Sequence, residues 1–364
     1  METKRIGIDA RLLSQTGVGV YTRNLLYELA QISKGKHEFF VYLRKEDESD
    51  LPDLPDNFKI RYTNAQWHSF AEQTWFLYQL YSDNLDLMHF CYFSMPILYN
   101  KAFVITIHDV IPYKHATGKA STRNPLSYQI KHFMYKRVLA HAVTHAKRIF
   151  VPTEAVKNDI HSLFPYVAKE KIIRTYEGID YKLVQAKPAK PERLLDKPYF
   201  LYMGNYYPHK NVPFLLDAFK EANLDAQLIL NGPEDYFARH IDEIIISSGL
   251  EARVIRLSNT TLGERVYLYT NALALVHPSK DEGFGLQLFE SQFFQTPALA
   301  SDIPVLHEIR PHATFFRLES TSGLASLLRK TYEAKPKKST DKIDSEFSFK
   351  KMAEETYNQY SECL

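Results

Sequence analysis

Between His277 and Ser301 the chain reads HPSKDEGFGLQLFESQFFQTPALAS, which sets two acidic residues, Glu282 and Glu290, around a pair of glycines, Gly283 and Gly285. The apolar run LALVHPS ahead of them predicts a strand, and the periodic apolar positions from Leu286 onward predict a helix with Glu290 in its first turns. Glycines at such a turn let backbone approach a ligand, and the amides of a helix start favour an anion. Phe284, Leu286, Leu288 and Phe289 surround the carboxylates with apolar surface, which argues against a merely solvated charge pair. Acceptors this close to amide donors suit a ligand with both hydroxyls and an anionic group, as in a sugar nucleotide.

Other strand ends carry related residues. In RIGIDARLLSQTGVGVYTRNLL an apolar strand runs into a loop with Gly17 and Gly19 before a helical pattern opens near Val20. Either this loop brings free helix-start amides to a diphosphate, or the turn simply needs a positive φ. AFVITI ends at His108 and Asp109, suited to a sugar hydroxyl or phosphate oxygen, or else to a polar strand end and helix N-cap. YFLYMGNYYPHKNVPFLLDAF places Gly204 at a strand end and Lys210 at the entrance to a helix, where a cation opposes the helix dipole unless an anion offsets it. A charge-assisted bond from that lysine to phosphate contributes roughly 1.5 to 3 kcal/mol; a solvated surface lysine is the alternative.

Positioning these strand ends takes an alternating βα array. RIGIDA, EFFVYL, DLMHF, AFVITI and RIFVPT alternate with helical patterns at residues 20–32, 70–81 and 126–146, which predicts a parallel sheet with helices on both faces. The pattern restarts at YFLYMG and runs through AQLILNG, RVIRL, LALVHP and PALAS, again with helices between. AKPAKPERLLDKP, between the two arrays, reads as a linker because its prolines and charges can continue neither a helix nor a central strand. The expected division is therefore residues 1–185, a linker at 186–198, and residues 199–345. A closing helix at 346–364 carries Phe349, Met352, Ala353, Thr356 and Tyr360 on one stripe and is expected to return to the first domain.

At 364 residues the chain exceeds the size at which one core stops growing, roughly 250 to 300 residues, so two domains are favoured. Its 45% hydrophobic and 24% charged residues are those of a globular protein. The formal charge of +2 gives no polyanion-binding field, so nucleic acid is not an expected partner. Two cysteines, Cys91 and Cys363, give neither a disulfide framework nor metal-ligand spacing and fit a reducing cytoplasm. The N-terminal stretch is too short and too charged for a signal segment, and no apolar run of about 18 residues suggests a membrane span.

The run E-G-F-G-L-x-x-x-E from Glu282 to Glu290, with HPS before it and TPALAS after, resembles the signature of the retaining glycosyltransferases of family 4. GIDARLL, TGVGVYTRNLL, TIHDVIP, VPTEAVKNDI, YEGID, YMGNYYPHKN, LILNGPE and SDIPVLHEI follow in that family's order over nearly the whole chain. The resemblance implies an α/β GT-B fold, two Rossmann-like doubly wound domains facing an interdomain cleft, the first on the acceptor side. It implies that Glu290 holds the nucleotide ribose and that Glu282 lies against the donor sugar with the amides of Gly283, Phe284, Gly285 and Leu286. Lys210 then neutralises the departing diphosphate, His108 touches the donor sugar, Asp109 is a further sugar or acceptor contact, and Gly17 and Gly19 line the diphosphate side. No cofactor, protein nucleophile or metal is implied, and the chain has no D-x-D motif.

The chain departs from the family pattern in places. Asn205, a further expected donor-binding residue, stands where many members have an arginine, and His209 precedes the lysine where another arginine is usual. Gln292, Phe293, Phe294 and Gln295 replace small residues ending in glycine, and RPHATFF replaces a Gly-Asp-Ala segment after Glu308. TGVGVYTRNLL and HDVIP most resemble bacterial GDP-mannose-dependent mannosyltransferases of surface polysaccharide synthesis, while other branches use UDP-glucose, UDP-N-acetylglucosamine or dTDP-rhamnose. A non-catalytic sugar-nucleotide-binding subunit of a transferase complex is the alternative from another class, and the signature argues against a nucleotide-sugar 2-epimerase.

From Lys101 to Phe150 nine basic residues, including Lys119, Arg123 and Lys131, stand against the single acid Asp109. Within residues 128–150, Ile130, Phe133, Met134, Val138 and Ala142 interleave with lysines and arginines. Such a helix either rests on anionic headgroups near a lipid-linked acceptor, a peripheral position on the inner membrane face, or packs on the core with a solvated basic back.

Overall fold

Short runs rich in β-branched and aromatic residues form the strands, the inner ones buried on both faces as parallel sheets require and the edge ones partly exposed. In the first unit these are β1 (Arg5–Asp9), β2 (Glu38–Leu43), β3 (Phe58–Tyr62), β4 (Leu87–Phe90), β5 (Phe103–Thr106), β6 (Ile149–Val151) and β7 (Ile172–Arg174). All pair in parallel, in the order β3-β2-β1-β4-β5-β6-β7, with Ile8 opposite Val41 on one side and His89 on the other. The winding reverses between β1 and β4, which makes their carboxyl ends a topological switch point. The computed structural model describes residues 2–114, 125–335 and 338–364. Lys119 and Arg123 of the basic region lie outside these residues, as do the side chains of Tyr128 and Lys131.

The second unit contains β8 (Tyr199–Met203), β9 (Gln227–Asn231), β10 (Val254–Leu257), β11 (Ala274–His277), β12 (Ala298–Ser301) and β13 (Thr314–Phe316). Their order, again all parallel, is β10-β9-β8-β11-β12-β13, so this switch point falls between β8 and β11. Leu228, Leu230, Val276 and Leu299 pack one face of the sheet, and Leu201, Met203, Ile229 and Leu275 the other.

The chain divides into Met1–Asp180 with Ser345–Leu364, and Tyr181–Asp344. The segment 186–198, expected to link domains, instead lies inside the second unit, where the Ala189 amide donates to the Gly263 carbonyl at 2.9 Å and Leu194 is buried. The Phe349–Cys363 helix belongs to the first unit, packs on the Val18–Ile32 helix, and buries Phe349, Met352, Ala353, Thr356 and Tyr360.

The Pro125–His145 helix does not present one continuous apolar face. Val138 and Ala142 join Tyr135, Leu139 and Val143 in the core, whereas Ile130, Phe133 and Met134 are exposed. Lys147 and Arg148, counted in the basic run, are used internally: Lys147 donates to the Cys363 carbonyl at 2.7 Å and Arg148 to the Gln359 side chain at 2.7 Å.

Candidate active site

The loops after β8 and β11 flank the second switch point and meet: the Lys280 amide donates to the His209 carbonyl at 2.8 Å. Lys210 closes the Pro208–Lys210 turn, and its Nζ lies 2.7 Å from both carboxylate oxygens of Glu282. His277, the last residue of β11, brings Nε2 to 2.9 Å from Glu282 Oε1. Burial alone would push the Glu282 carboxyl up, but the Lys210 ammonium and the His277 imidazole outweigh it and hold the group well below the usual carboxylate range. Glu282 is therefore a permanently ionised acceptor, suited to sugar hydroxyls and unsuited to donating a proton.

After Glu282 the chain turns into the Leu286–Phe293 helix through Gly285, whose φ of 89° is left-handed and favours glycine, and a Cβ there would press on Leu306 Cδ2 at 2.9 Å. The amides of Leu286 and Gln287 have no helical carbonyl behind them, so this end of the helix favours an anion. Glu290, buried one turn on, is held by Arg265 at 3.1 and 3.3 Å and by the Tyr269 hydroxyl at 2.5 Å. Arg265 and Tyr269 stand one turn apart on the Leu262–Asn271 helix, which starts with a capping box between Thr261 and Glu264. Sequence reasoning assigned no role to His277, Arg265 or Tyr269. The four-residue spacing of Arg265 and Tyr269 was the available signal for those two, and the last position of a predicted strand was the signal for His277.

Asn205 turns its side-chain oxygen toward the Tyr207 amide at 3.5 Å and its carbonyl accepts from the Tyr202 hydroxyl, so it shapes the loop that carries Lys210. Lys210, Glu282 and His277 thus form one charged cluster, and Glu290, Arg265 and Tyr269 a second at the start of the helix that follows.

In the first unit, Gly17 is the N-cap of the Val18–Ile32 helix at φ 70°, and a Cβ on Gly19 would meet the Leu13 carbonyl at 2.3 Å. The amides of Val18 and Gly19, expected to be free for a diphosphate, instead donate to the carbonyls of Thr16 at 2.9 Å and Gln15 at 3.1 Å. The glycines here serve turn geometry and close packing. His108, just beyond β5, has Nε2 3.0 Å from the Cys91 carbonyl and Nδ1 3.3 Å from Glu177 Oε1, so the protein engages both ring nitrogens. Asp109 accepts from the Ile111 amide at 2.9 Å, two residues on, at the start of the Ile111–Lys114 helix. Among the described residues no group of three or more His, Cys, Asp or Glu side chains is placed to hold a metal ion.

Comparison with known proteins places the chain among glycosyltransferases. Residues 184–330 match the family Glycosyl transferases group 1, and residues 15–183 match Glycosyltransferase Family 4. The O-antigen chain mannosyltransferase RfbU of Salmonella typhimurium is 28% identical over 233 residues, 64% of this chain and 61% of that protein. The O-antigen chain mannosyltransferase B of Escherichia coli is 27% identical over 48% of each chain. The matched stretches thus span between about half and three-fifths of these relatives' lengths. Among solved structures, sucrose-phosphate synthase from Thermosynechococcus elongatus has a TM-score of 0.76 at 18% identity, covering 99% of this chain and 98% of that one. Anabaena HepE, solved in complex with UDP and glucose, has a TM-score of 0.74 at 14% identity over 99% of this chain and all of that one. These likenesses show a GT-B fold. With the two family matches running consecutively from residue 15 to residue 330, the chain belongs to glycosyltransferase family 4.

Proposed function

We propose that the protein is a retaining glycosyltransferase that moves a hexose, with mannose favoured, from a nucleotide-diphosphate sugar to a glycan or lipid-linked glycan in surface polysaccharide biosynthesis. The observation that carries this reading is the Lys210–Glu282–His277 cluster at the β8/β11 switch point, beside a helix start that favours an anion. The named relatives, O-antigen mannosyltransferases, support the polysaccharide context and the sugar.

The sugar C1–O bond to the diphosphate breaks, and the bond from C1 to the acceptor oxygen forms on the same face. The acceptor proton leaves with the diphosphate. Lys210 Nζ lies 2.7 Å from both Glu282 oxygens, and an ammonium with three donors keeps capacity to stabilise the departing phosphate charge as well. Glu282 accepts from donor-sugar hydroxyls. Glu290 takes the ribose hydroxyls by exchanging its bonds to Tyr269 and Arg265, and no metal or cofactor is required.

A thermal-shift panel of UDP, GDP, dTDP and their sugars tests the donor, because selective binding stabilises the folded state by mass action. GDP and GDP-mannose are expected to give the largest shift. A larger shift with UDP-glucose, UDP-N-acetylglucosamine or dTDP-rhamnose reassigns the donor, and no shift from any of them, together with an unaffected Glu290→Gln variant, overturns the reading. The segment Phe293, Phe294 and Gln295, bulky where the family is small, favours a second reading, a sugar-nucleotide-binding subunit without its own turnover. Transfer by the purified chain eliminates it.

The acceptor belongs with the first unit. Ile130, Phe133 and Met134 are exposed one turn apart beside Lys136 and Arg137, a face that suits an anionic lipid surface. Co-sedimentation with vesicles containing phosphatidylglycerol, and its absence with phosphatidylcholine alone, is the expected result.

A further inference from the structure

The second unit carries a groove at the far end of its sheet from the Lys210–Glu282–His277 cluster, and no role assigned above uses it. That cluster stands at the carboxyl ends of β8 and β11, whereas Pro198, Leu273 and Pro297 directly precede β8, β11 and β12 and line the groove at the amino ends of these strands. The groove holds about 440 Å³, within the roughly 300 to 1,000 Å³ of small-molecule sites. Its walls are tied down. The Tyr332 hydroxyl donates to the Asp225 carbonyl at 3.2 Å, which fixes one ring on the wall. The Ser339 amide donates to the Gln295 carbonyl at 2.7 Å and Arg310 holds Asp341 at 3.0 Å, so the segment that follows Lys338 is anchored to the turn after the Leu286–Phe293 helix.

The charge of the groove is one-sided. None of the described residues lining it is acidic, while Lys335 and Lys338 both line it. Both lysines are exposed, and among the described residues neither forms an ion pair or a side-chain hydrogen bond. Asp225, which meets Tyr332 through its carbonyl, turns its carboxylate to Lys197 at 2.8 Å. Helix C-termini disfavour anions, but carbonyls at the helix ends here are taken: Thr331 by the Lys335 amide at 3.1 Å, Glu290 by the Phe294 amide at 3.0 Å and Ser291 by the Thr296 amide at 2.8 Å. Lys335 directly follows the Thr321–Ala334 helix and complements its dipole, whereas Lys338 lies beyond the last turn, where that effect has faded. Two ammonium groups without acids call for an anion, and a phosphate monoester, with about −1.5 to −2 charges near pH 7, offsets both. Asn271 donates its side-chain amide to the Tyr267 carbonyl at 2.9 Å and to Thr270 Oγ1 at 3.1 Å, which leaves the amide oxygen to accept from a hydroxyl. With the Tyr332 ring, Leu273 and the two prolines as apolar surface, the groove suits the mixed faces of a sugar.

We propose that this groove is a second ligand site, for a sugar phosphate, with the phosphate at Lys335 and Lys338 and the sugar against Tyr332 and Asn271. It shares no residue with the proposed donor site and does not depend on the transferase reading. Isothermal titration calorimetry with mannose 6-phosphate, glucose 6-phosphate, inorganic phosphate and methyl α-mannoside tests it. At least one sugar phosphate is expected to bind the native chain about tenfold or more tightly than either inorganic phosphate or methyl α-mannoside, because it alone engages both the lysines and the sugar-facing wall. The double variant Lys335→Asn with Lys338→Ala, whose asparagine tolerates the left-handed backbone at φ 43°, is expected to lose about tenfold or more of that affinity while keeping the native unfolding temperature. Lys338→Ala alone, at an exposed position outside any helix or strand, should weaken binding in the same direction. No binding of either sugar phosphate to the native chain, binding no tighter than that of inorganic phosphate, or unchanged affinity in the double variant overturns the assignment. A chain that binds a sugar phosphate through these lysines but no nucleotide or nucleotide sugar keeps this site and overturns the transferase reading instead.

Discussion

Glu282 is the residue on which the proposed donor chemistry turns, because it is the acid shared by a half-buried lysine and a buried histidine. Glu282→Gln leaves the Lys210 ammonium, whose side chain is 13% exposed, without its counter-charge, and breaking a buried pair this way costs about 3 to 5 kcal/mol. A nucleotide diphosphate supplies that counter-charge. The variant should therefore be less stable alone yet gain more than the native chain from GDP or UDP in thermal denaturation, while transfer falls by about a hundredfold or more. A variant that loses nucleotide stabilisation as well would place Glu282 in binding rather than in sugar handling. His89 makes a different prediction. Burial, with a smaller push from nearby His108, holds its imidazole down to about 3, between the Tyr360 hydroxyl at 2.5 Å and the Thr106 hydroxyl at 2.8 Å. An unfolded histidine titrates near 6.5, so as pH falls from about 6.5 towards 3 the unfolded chain takes up a proton that the folded chain refuses, and stability drops by up to about 1.4 kcal/mol per pH unit. Glu282 acts in the same direction only below its ordinary range near 4.5. Urea titrations at pH 6 and pH 5 should therefore show a steeper loss in the native chain than in His89→Gln.

At the scale of elements, the turn after the Leu286–Phe293 helix keeps a left-handed residue although the family's glycine is absent. Gln295 is exposed and adopts φ 60°, its amide donates to the Gln292 carbonyl at 3.0 Å, and its carbonyl accepts from the Ser339 amide at 2.7 Å. A left-handed conformation costs a non-glycine residue roughly 1 to 2 kcal/mol, so Gln295→Gly should raise stability by about 1 kcal/mol in equilibrium denaturation without altering nucleotide binding. Arg310, in the segment that departs from the family pattern, fixes the same turn. Its fully buried guanidinium bonds Ser291 Oγ at 2.8 Å, the Thr296 carbonyl at 2.9 Å and Asp341 at 3.0 Å. Strands with continuous apolar runs, such as FVIT and LILN, were legible in the sequence, as were the helices that start at Val212 and Leu286. The edge strands β3, β7 and β13 were not: FKIRY alternates polar and apolar residues instead of forming a continuous apolar run, and β7 and β13 are three residues long. The acids of the proposed donor site, Glu282 and Glu290, could be read because glycines punctuate the chain around them. The partners of Glu290 come from a different helix, and no local pattern links Arg265 or Tyr269 to it.

At the scale of the molecule, each unit closes its own sheet with its own buried residues, and the residues proposed to handle the donor all fall in one of them. Lys210, Arg265, Tyr269, His277, Glu282 and Glu290 lie within Tyr181–Asp344, together with both hydrophobic clusters that cover that sheet. The first unit is discontinuous, and its last helix is part of its core rather than an appendage. Tyr360 is wholly buried against His89, Met352 and Ala353 are wholly buried as well, and a Cβ at Gly178 would meet the Phe349 amide nitrogen at 2.6 Å. Burying side chains of this size contributes about 1.5 to 3 kcal/mol each, comparable in sum with the whole net stability of a domain. Residues 181–344 produced alone should therefore unfold cooperatively and still be stabilised by the preferred nucleotide. Residues 1–180 produced alone should lack a cooperative transition, and a synthetic peptide of residues 345–364 should restore it. Circular dichroism during thermal unfolding reads all three samples, and a cooperative transition in 1–180 without the peptide would show that the returning helix is dispensable to the core it completes.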